Sequence, residues 1–428
     1  MANTYNLPKS NASISKSERS GRQRNNGFIT IAAFLCVLIA CEPVTERSYP
    51  HADEPIGTVR ELYDATLPHE LAVTTYRNTD RLFATRRISS PDEPVPLQYA
   101  ERVLDDVTFT FEGTTYELTD YLEKNYVAGL LILDNGNIVN ETYRFGNTEQ
   151  TRWMSMSIAK SITSTLVGAA LHDGYIESID DPVTRYVPSL EGTAYDGVTI
   201  RDVLTMTSGV EWNETYTDPE SDRRQLLGAQ ISQERSAVLG VMKNLERENE
   251  PGTVYRYNTG ETQIAAEFLY RATGMPLSEY LSERVWKPIG AESDAYWWLD
   301  SPDGIEIGGS GISATMRDYG RFGQFVLDNG VVNGDSLLPG GWMEEASTPK
   351  MLHDGTEVDY GYLWWTGTSQ AARRNDAFSA DGIFGQIIYI NPAARVVIVV
   401  WSVWPDPNES GKFDWDWSFF EAVADSLR

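Results

Sequence analysis

Apolar runs broken by turn residues mark two strand hairpins near opposite ends of the chain. Gly129-Leu130-Leu131-Ile132-Leu133, the turn Asp134-Asn135-Gly136, and Ile138-Val139-Asn140-Glu141-Thr142-Tyr143 predict the first. Gln386-Ile387-Ile388-Tyr389-Ile390 and Arg395-Val396-Val397-Ile398-Val399-Val400-Trp401, flanking Asn391-Pro392, predict the second, apolar enough to be buried. Between them the period changes. Ile158, Ile162, Leu166 and Ala169 fall on one helical face, small residues fill the rest, and Gly174 can close the C-terminal end. Residues 174–300 read as mostly helix and loop. Gly308-Gly309-Ser310-Gly311 reads as the opening of a helix through Arg317, Tyr319, Phe322 and Phe325, with Ser310 serving its start. Trp417, Phe420, Val423 and Leu427 mark a terminal helix. Residues 61–120, punctuated by Pro91, Pro94 and Pro96, read as an N-terminal extension packed on the main domain. The expected class is α/β (α+β): one antiparallel sheet built from both ends of the chain, flanked by helices, with a largely helical inserted region.

Composition adds limits. Apolar content of 41% and 12 tryptophans over 428 residues allow a substantial core. The net charge of −27 excludes nucleic acid as a natural partner, because phosphate binding needs a basic surface. The acidity itself reads most simply as solubility.

The N-terminus reads as an export signal. Lys9, Lys16, Arg19, Arg22 and Arg24 precede an apolar run from Phe28 to Ala40, too short for a comfortable membrane span. It ends Leu38-Ile39-Ala40-Cys41, which resembles a bacterial lipobox whose cysteine is lipidated. An ordinary signal peptide and a short retained anchor are the alternatives. On the lipobox reading, residues 1–40 are a lipoprotein signal, 41–60 a tether and 61–428 the main domain, held to the membrane only through Cys41 and facing outward from a bacterial cell envelope. Removal of 1–40 takes away five positive charges and one negative, leaving −31. The two cysteines, Cys36 and Cys41, leave no disulfide for the mature domain.

The candidate chemistry starts at Ser157-x-x-Lys160. Positions i and i+3 share a helical face, so the Lys160 amine can reach the Ser157 hydroxyl and take its proton. Ser157 also sits near a helix start, where free N–H groups favour negative charge. The spacing recurs at Ser13-x-x-Lys16, in a polar leader, and at Ser347-x-x-Lys350, which has Pro349 inside it. A surface Ser and Lys at helical spacing is the alternative reading of this motif alone. A second candidate is Tyr257, in Pro251-Gly252-Thr253-Val254-Tyr255-Arg256-Tyr257-Asn258-Thr259-Gly260. Turn residues place it on a loop before a helix, and a Lys160 ammonium would lower its phenol for proton transfer. Tyr255 reads as a packing position. The third piece is Ala380-Asp381-Gly382-Ile383-Phe384-Gly385-Gln386, a glycine-containing entry into a strand, whose N–H could complete an oxyanion hole with that of Ser157. Ser310 fails the Gly-x-Ser-x-Gly spacing at Ile312, and the four histidines are scattered, so neither a nucleophile elbow nor a Ser-His-Asp triad is expected.

Together, in this order, the three pieces resemble the serine β-lactamase and penicillin-binding family, on the branch of class C β-lactamases, family VIII-type esterases and 6-aminohexanoate-dimer hydrolases. The likeness runs from about Gly129 to Trp401. Val198 to Gly209 and Gly308 to Asp318 are further family-like stretches. Tyr360 to Trp365 and Gly382 to Gln386 look most like the 6-aminohexanoate-dimer hydrolase side. The resemblance implies a β-lactamase/transpeptidase-like fold, Ser157 as the acylated nucleophile, Lys160 as its partner and Tyr257 as the catalytic tyrosine. It implies the N–H groups of Ser157 and Ile383 as the oxyanion hole. Thr259 stands where the family usually has Asn or Ser. Ala380-Asp381-Gly382 stands where β-lactamases carry Lys-Thr-Gly or His-x-Gly, so the group that greets a β-lactam carboxylate is missing. Tyr216, Asn258, Gly382 and Trp364 are the candidates for holding substrate, with loop packing the alternative for Tyr216. Trp297, Trp298, Trp364 and Trp365 could line a cleft, but most read as core.

The expected activity is hydrolysis of a small ester or amide through an acyl-enzyme, without metal or cofactor. A penicillin-binding carboxypeptidase or β-lactamase is the alternative within the family, and a non-catalytic binding protein on the same fold is the other.

Overall fold

The computed structural model describes residues 49–428; the signal segment, Cys41 and the expected tether as far as residue 48 lie outside the described residues. Fourteen elements position the site. In chain order they are β1 (Thr85–Ile88), β2 (Val127–Asp134), β3 (Asn137–Tyr143), β4 (Arg152–Met154), α1 (Ile158–His172), α2 (Thr259–Thr273), β5 (Ala295–Trp298), β6 (Ile312–Thr315), α3 (Met316–Leu327), β7 (Trp365–Thr366), β8 (Phe378–Gly382), β9 (Gln386–Asn391), β10 (Val396–Ser402) and α4 (Lys412–Ser426).

Both hairpins form and join. β10 pairs antiparallel with β2, giving a six-stranded sheet in the order β7-β8-β9-β10-β2-β3. Every residue of β9 and β10 is buried. Alternation then sorts them by face. Leu131, Leu133, Val397 and Val399 enter the core that includes α1 and α3, while Leu130, Ile132, Ile398 and Val400 enter the core that includes α4. Each such side chain contributes about 1.5–3 kcal/mol of burial, so this central hairpin pair anchors the sheet.

A second sheet has no counterpart in the sequence reading. β1, β5, β6 and β4 pair in that order, and each is only three or four residues long. β6 also corrects the reading of Gly308–Gly311. That run leads into a strand, and the helix begins later, at Met316. Its N-cap is Thr315, whose side chain accepts from the Asp318 N–H, not Ser310.

The N-terminal part is integral to the fold. β1 lies in the second sheet, and a hairpin of Thr108–Phe111 with Thr114–Glu117 packs on α4, with the Phe109 and Trp415 rings 4.9 Å apart. The described end of the expected tether is docked. The Tyr49 hydroxyl donates to the Arg77 carbonyl at 2.6 Å, the Arg152 guanidinium lies 3.7 Å from the Tyr49 ring centre, and Glu54 pairs with Arg77 at 2.6 Å. Any free tether therefore ends before Tyr49, not at residue 60.

Candidate active site

Strand β4 leads to Ser157, the candidate nucleophile. Its pairing with β6 continues into Ser155, whose N–H donates to the Ile312 carbonyl at 2.8 Å and whose hydroxyl accepts from the Ile312 N–H at 3.0 Å. The chain then turns through Met156, at φ +41°, and α1 begins with Ser157 at its N-cap. The helix is buried along nearly its whole length and ends where Gly174 adopts φ +79°. The i, i+3 spacing brings Lys160 Nζ to 2.8 Å from Ser157 Oγ. Lys160 also donates to the Gly309 carbonyl at 3.2 Å. The glycines of 308–311 thus serve close approach. A Cβ on Gly308 would lie 2.1 Å from the Thr262 carbonyl oxygen, and one on Gly309 would lie 2.3 Å from Thr262 Oγ1. Without side chains, this run lies against α2 and turns a carbonyl to the lysine.

Lys160 is 2% exposed, and burial pushes its amine down to about 7; Glu214 opposes the shift and Arg223 adds to it. Near neutral pH a large share of the lysine is therefore an uncharged amine within hydrogen-bond reach of a serine hydroxyl. The other two Ser-x-x-Lys matches do not assemble this way. Ser13 and Lys16 lie outside the described residues. Ser347 donates to the Met343 carbonyl, and Lys350 turns instead to Glu345.

Tyr257 immediately precedes α2. Its ring centre lies 5.1 Å from Lys160 Nζ, stacks on Trp365 at 5.5 Å and meets Tyr360 edge-on at 6.1 Å. The expected lowering of its phenol is not what this environment produces. Burial and the Glu214 carboxylate push it well above its ordinary value, and only the Ser157 hydroxyl directed at it pulls the other way. The expectation rested on a charged Lys160, and burial removes much of that charge. The phenol is therefore a neutral proton donor that can relay, not a standing base.

Glu214 carries no signal in the sequence pattern, where it is one acid among several in a polar loop. It accepts from the Thr259 N–H at 2.9 Å and from the Thr259 hydroxyl and the Trp212 indole, and Arg223 Nε lies 4.0 Å away. Thr259, where the resemblance leads one to expect Asn or Ser, thus holds the carboxylate that acts on both Lys160 and Tyr257.

Gly382 ends β8 against the nucleophile turn. A Cβ there would lie 2.7 Å from the Ser155 carbonyl oxygen and 2.9 Å from Met156 Cβ. Ile383 follows, and it lines the same cavity of about 940 Å³ as Ser157. Among the described residues, neither the Ser157 nor the Ile383 N–H has an acceptor. Such N–H groups facing one cavity can receive a developing oxyanion.

Of the remaining candidates, Tyr216 and Gly382 line the cavity. Asn258 does not. It is fully buried, and its side chain caps α2 by accepting from the Glu261 N–H at 3.2 Å. Trp364 is also fully buried, parallel to Phe322 at 6.3 Å; its neighbour Trp365 is the tryptophan at the cavity. Trp297 and Trp298 are core, and Tyr255 packs against Tyr360 at 5.4 Å.

A buried helix carrying a serine and a lysine that burial holds near 7, beside the end of an antiparallel strand that offers an N–H, defines a class of acyl-transferring serine enzymes. The Beta-lactamase family model matches residues 120–422, and the chain belongs to the beta-lactamase family of serine hydrolases. It is 31% identical over 316 residues to a 6-aminohexanoate-dimer hydrolase of Paenarthrobacter ureafaciens, covering 68% of this chain and 76% of that protein. Among solved structures, a candidate 6-aminohexanoate-dimer hydrolase from Bacillus anthracis superposes with a TM-score of 0.74 at 26% identity, over 83% of this chain and 94% of that one. A family VIII carboxylesterase shares the fold, with a TM-score of 0.55 at 18% identity, over 72% of this chain and 95% of the other.

Proposed function

We propose that the protein hydrolyses esters or linear amides through an acyl-enzyme on Ser157, with poor or no turnover of β-lactams. The observation that carries this reading is the 2.8 Å contact between Ser157 Oγ and a lysine held near neutrality by burial. The uncharged Lys160 amine takes the Ser157 proton as Oγ attacks the carbonyl carbon. The N–H groups of Ser157 and Ile383 receive the oxyanion. Tyr257 gives its phenolic proton to the leaving group and recovers one from the Lys160 ammonium, so the first product leaves neutral and the relay is reset. A water then loses a proton through the same groups, attacks the acyl carbonyl and releases Ser157.

The reading against β-lactams rests on Ala380-Asp381-Gly382. Asp381 lines the cavity, and a carboxylate there disfavours a substrate carboxylate. The amide option draws on the similarity to a 6-aminohexanoate-dimer hydrolase, and the ester option on the fold shared with a carboxylesterase.

A fluorophosphonate probe tests the nucleophile: wild type is expected to label and Ser157→Ala to stay unlabelled, and equal labelling of both rejects the assignment. Rates on a short p-nitrophenyl ester, nitrocefin and a linear aminohexanoate amide then rank the substrates, with the ester expected to turn over and nitrocefin barely. We also propose an envelope location through a lipidated Cys41, supported by Leu38-Ile39-Ala40-Cys41; a mature mass starting at any other residue rejects it.

A further inference from the structure

Ser157 and Ile383 reach the cavity from different sheets. Ile383 opens the turn between β8 and β9 of the six-stranded sheet, while Ser157 follows β4, an edge strand of the second sheet. The separation of their N–H groups therefore depends on how the two sheets are joined beside the site. The turn itself is not relaxed. Phe384 sits at φ +63° and Gly385 at φ +80°, and a bulky side chain in the left-handed region persists only where its surroundings hold it there.

Gln386, the first residue of β9, joins these parts. It is fully buried and lies outside the cavity lining. Its amide nitrogen donates to the Phe384 carbonyl and to the Ser402 carbonyl, each at 2.9 Å. Its amide oxygen accepts from the Trp153 indole N–H at 2.8 Å. An indole only donates and a carbonyl only accepts, so these partners dictate which way the amide faces. Phe384 lies in the turn, Ser402 ends β10, and Trp153 is in β4, four residues before Ser157. Trp153 is held in turn, stacked on Trp401 at 5.3 Å and edge-on to Tyr76 at 5.7 Å. Trp404 closes the other side of the turn. Its backbone N–H donates to the Phe384 carbonyl at 3.3 Å, its indole donates to Asn125 at 3.0 Å, and a Cβ on Gly385 would lie 2.5 Å from its ring. A methionine would fill the volume of Gln386 without the cost of burying an amide, so packing alone does not call for a glutamine here.

We infer that Gln386 is a positioning residue of the oxyanion hole: through Trp153 and the Phe384 carbonyl it sets the distance between the Ser157 and Ile383 N–H groups, without meeting the substrate. The inference rests on the acyl-enzyme reading above and adds a residue to that same site.

Two p-nitrophenyl hexanoates, one with the ordinary carbonyl and one with a thiocarbonyl, test it. Sulfur is larger and accepts hydrogen bonds more weakly, so N–H groups set for an oxyanion serve it poorly. Wild type is expected to favour the oxo ester by about a hundredfold in kcat/KM, beyond the preference of hydroxide in solution, in the range that oxyanion donors cover. Gln386→Met is expected to slow the oxo ester by about tenfold to a hundredfold, in kcat with KM little changed, and to shrink the oxo preference by about tenfold. Trp153→Phe keeps a ring against Trp401 and loses only the N–H, and is expected to move both readings the same way. The double variant is expected to be no worse than Gln386→Met alone, because both changes break one linkage. Should Gln386→Met not fold, Trp153→Phe decides the matter by itself. Variants that keep the wild-type oxo preference, whether their rates are unchanged or fall equally on both esters, overturn the inference and leave the hydrolase reading standing. Wild type that neither turns over the oxo ester nor labels at Ser157 rejects that reading and the inference with it.

Discussion

A lysine at about 7 makes activity a question of which protonation state is present. On the proposed mechanism the general base is the deprotonated amine, so kcat/KM for a neutral ester is expected to rise with pH through about 7 and level above it. Glu214 acts to raise Lys160, so its charge holds the amine protonated to higher pH. Glu214→Gln removes that charge, and the rising limb is expected to move to lower pH. An unmoved or upward-shifted limb would contradict the assignment. Lys160→Arg keeps the volume but cannot shed its proton, and is expected to cost about a hundredfold or more in kcat, within the range that general-base removal covers. The sequence made Ser157 and Lys160 readable because helical spacing is a local rule. It could not supply the sign of the Tyr257 shift, which comes from burial first and then from Glu214, 43 residues away and held by Thr259 and Trp212.

At the scale of elements, the oxyanion side of the site depends on how closely β8 approaches the turn before α1. Gly382→Ala would put a methyl group 2.7 Å from the Ser155 carbonyl oxygen, and β8 would have to move outward. The expected result is a fall of about tenfold to a hundredfold in acylation rate, since misplacement of a fraction of an ångström to an ångström has that effect on positioned groups. Thermal unfolding, which depends on the far larger cores, should shift by only a few degrees; a rate equal to wild type would show that the strand is not positioned by this contact. Element prediction succeeded where apolar runs were long, as in β2 and β10. It failed for β1, β4, β5 and β6, because three or four residues carry too little period to be read before their partners are known. The α3 start does carry a local signal: Thr315-Met316-Arg317-Asp318 has the spacing of a capped helix, downstream of the glycine run that resembles a helix opening.

For the whole molecule, the balance is between self-repulsion and two cores on the faces of one sheet. With −27 charges and ion pairs that are partly buried, such as Arg317 with Glu141 at 2.6 Å, added salt screens the long-range repulsion more than the short-range attraction. The melting temperature is expected to rise from low to physiological salt, measured by calorimetry. A fall would mean that surface ion pairs dominate.

One contact has an optical consequence. Most of the 12 tryptophans whose environment matters to the core are sealed from solvent, but Trp365 is half-buried, stacked on Tyr257 and part of the cavity wall. Light absorbed by that indole is emitted beside Tyr257, the proposed proton relay. The intrinsic emission spectrum therefore carries a built-in indicator of whether the pocket holds water or an acyl group, and a Trp365→Phe difference spectrum isolates it without any attached dye.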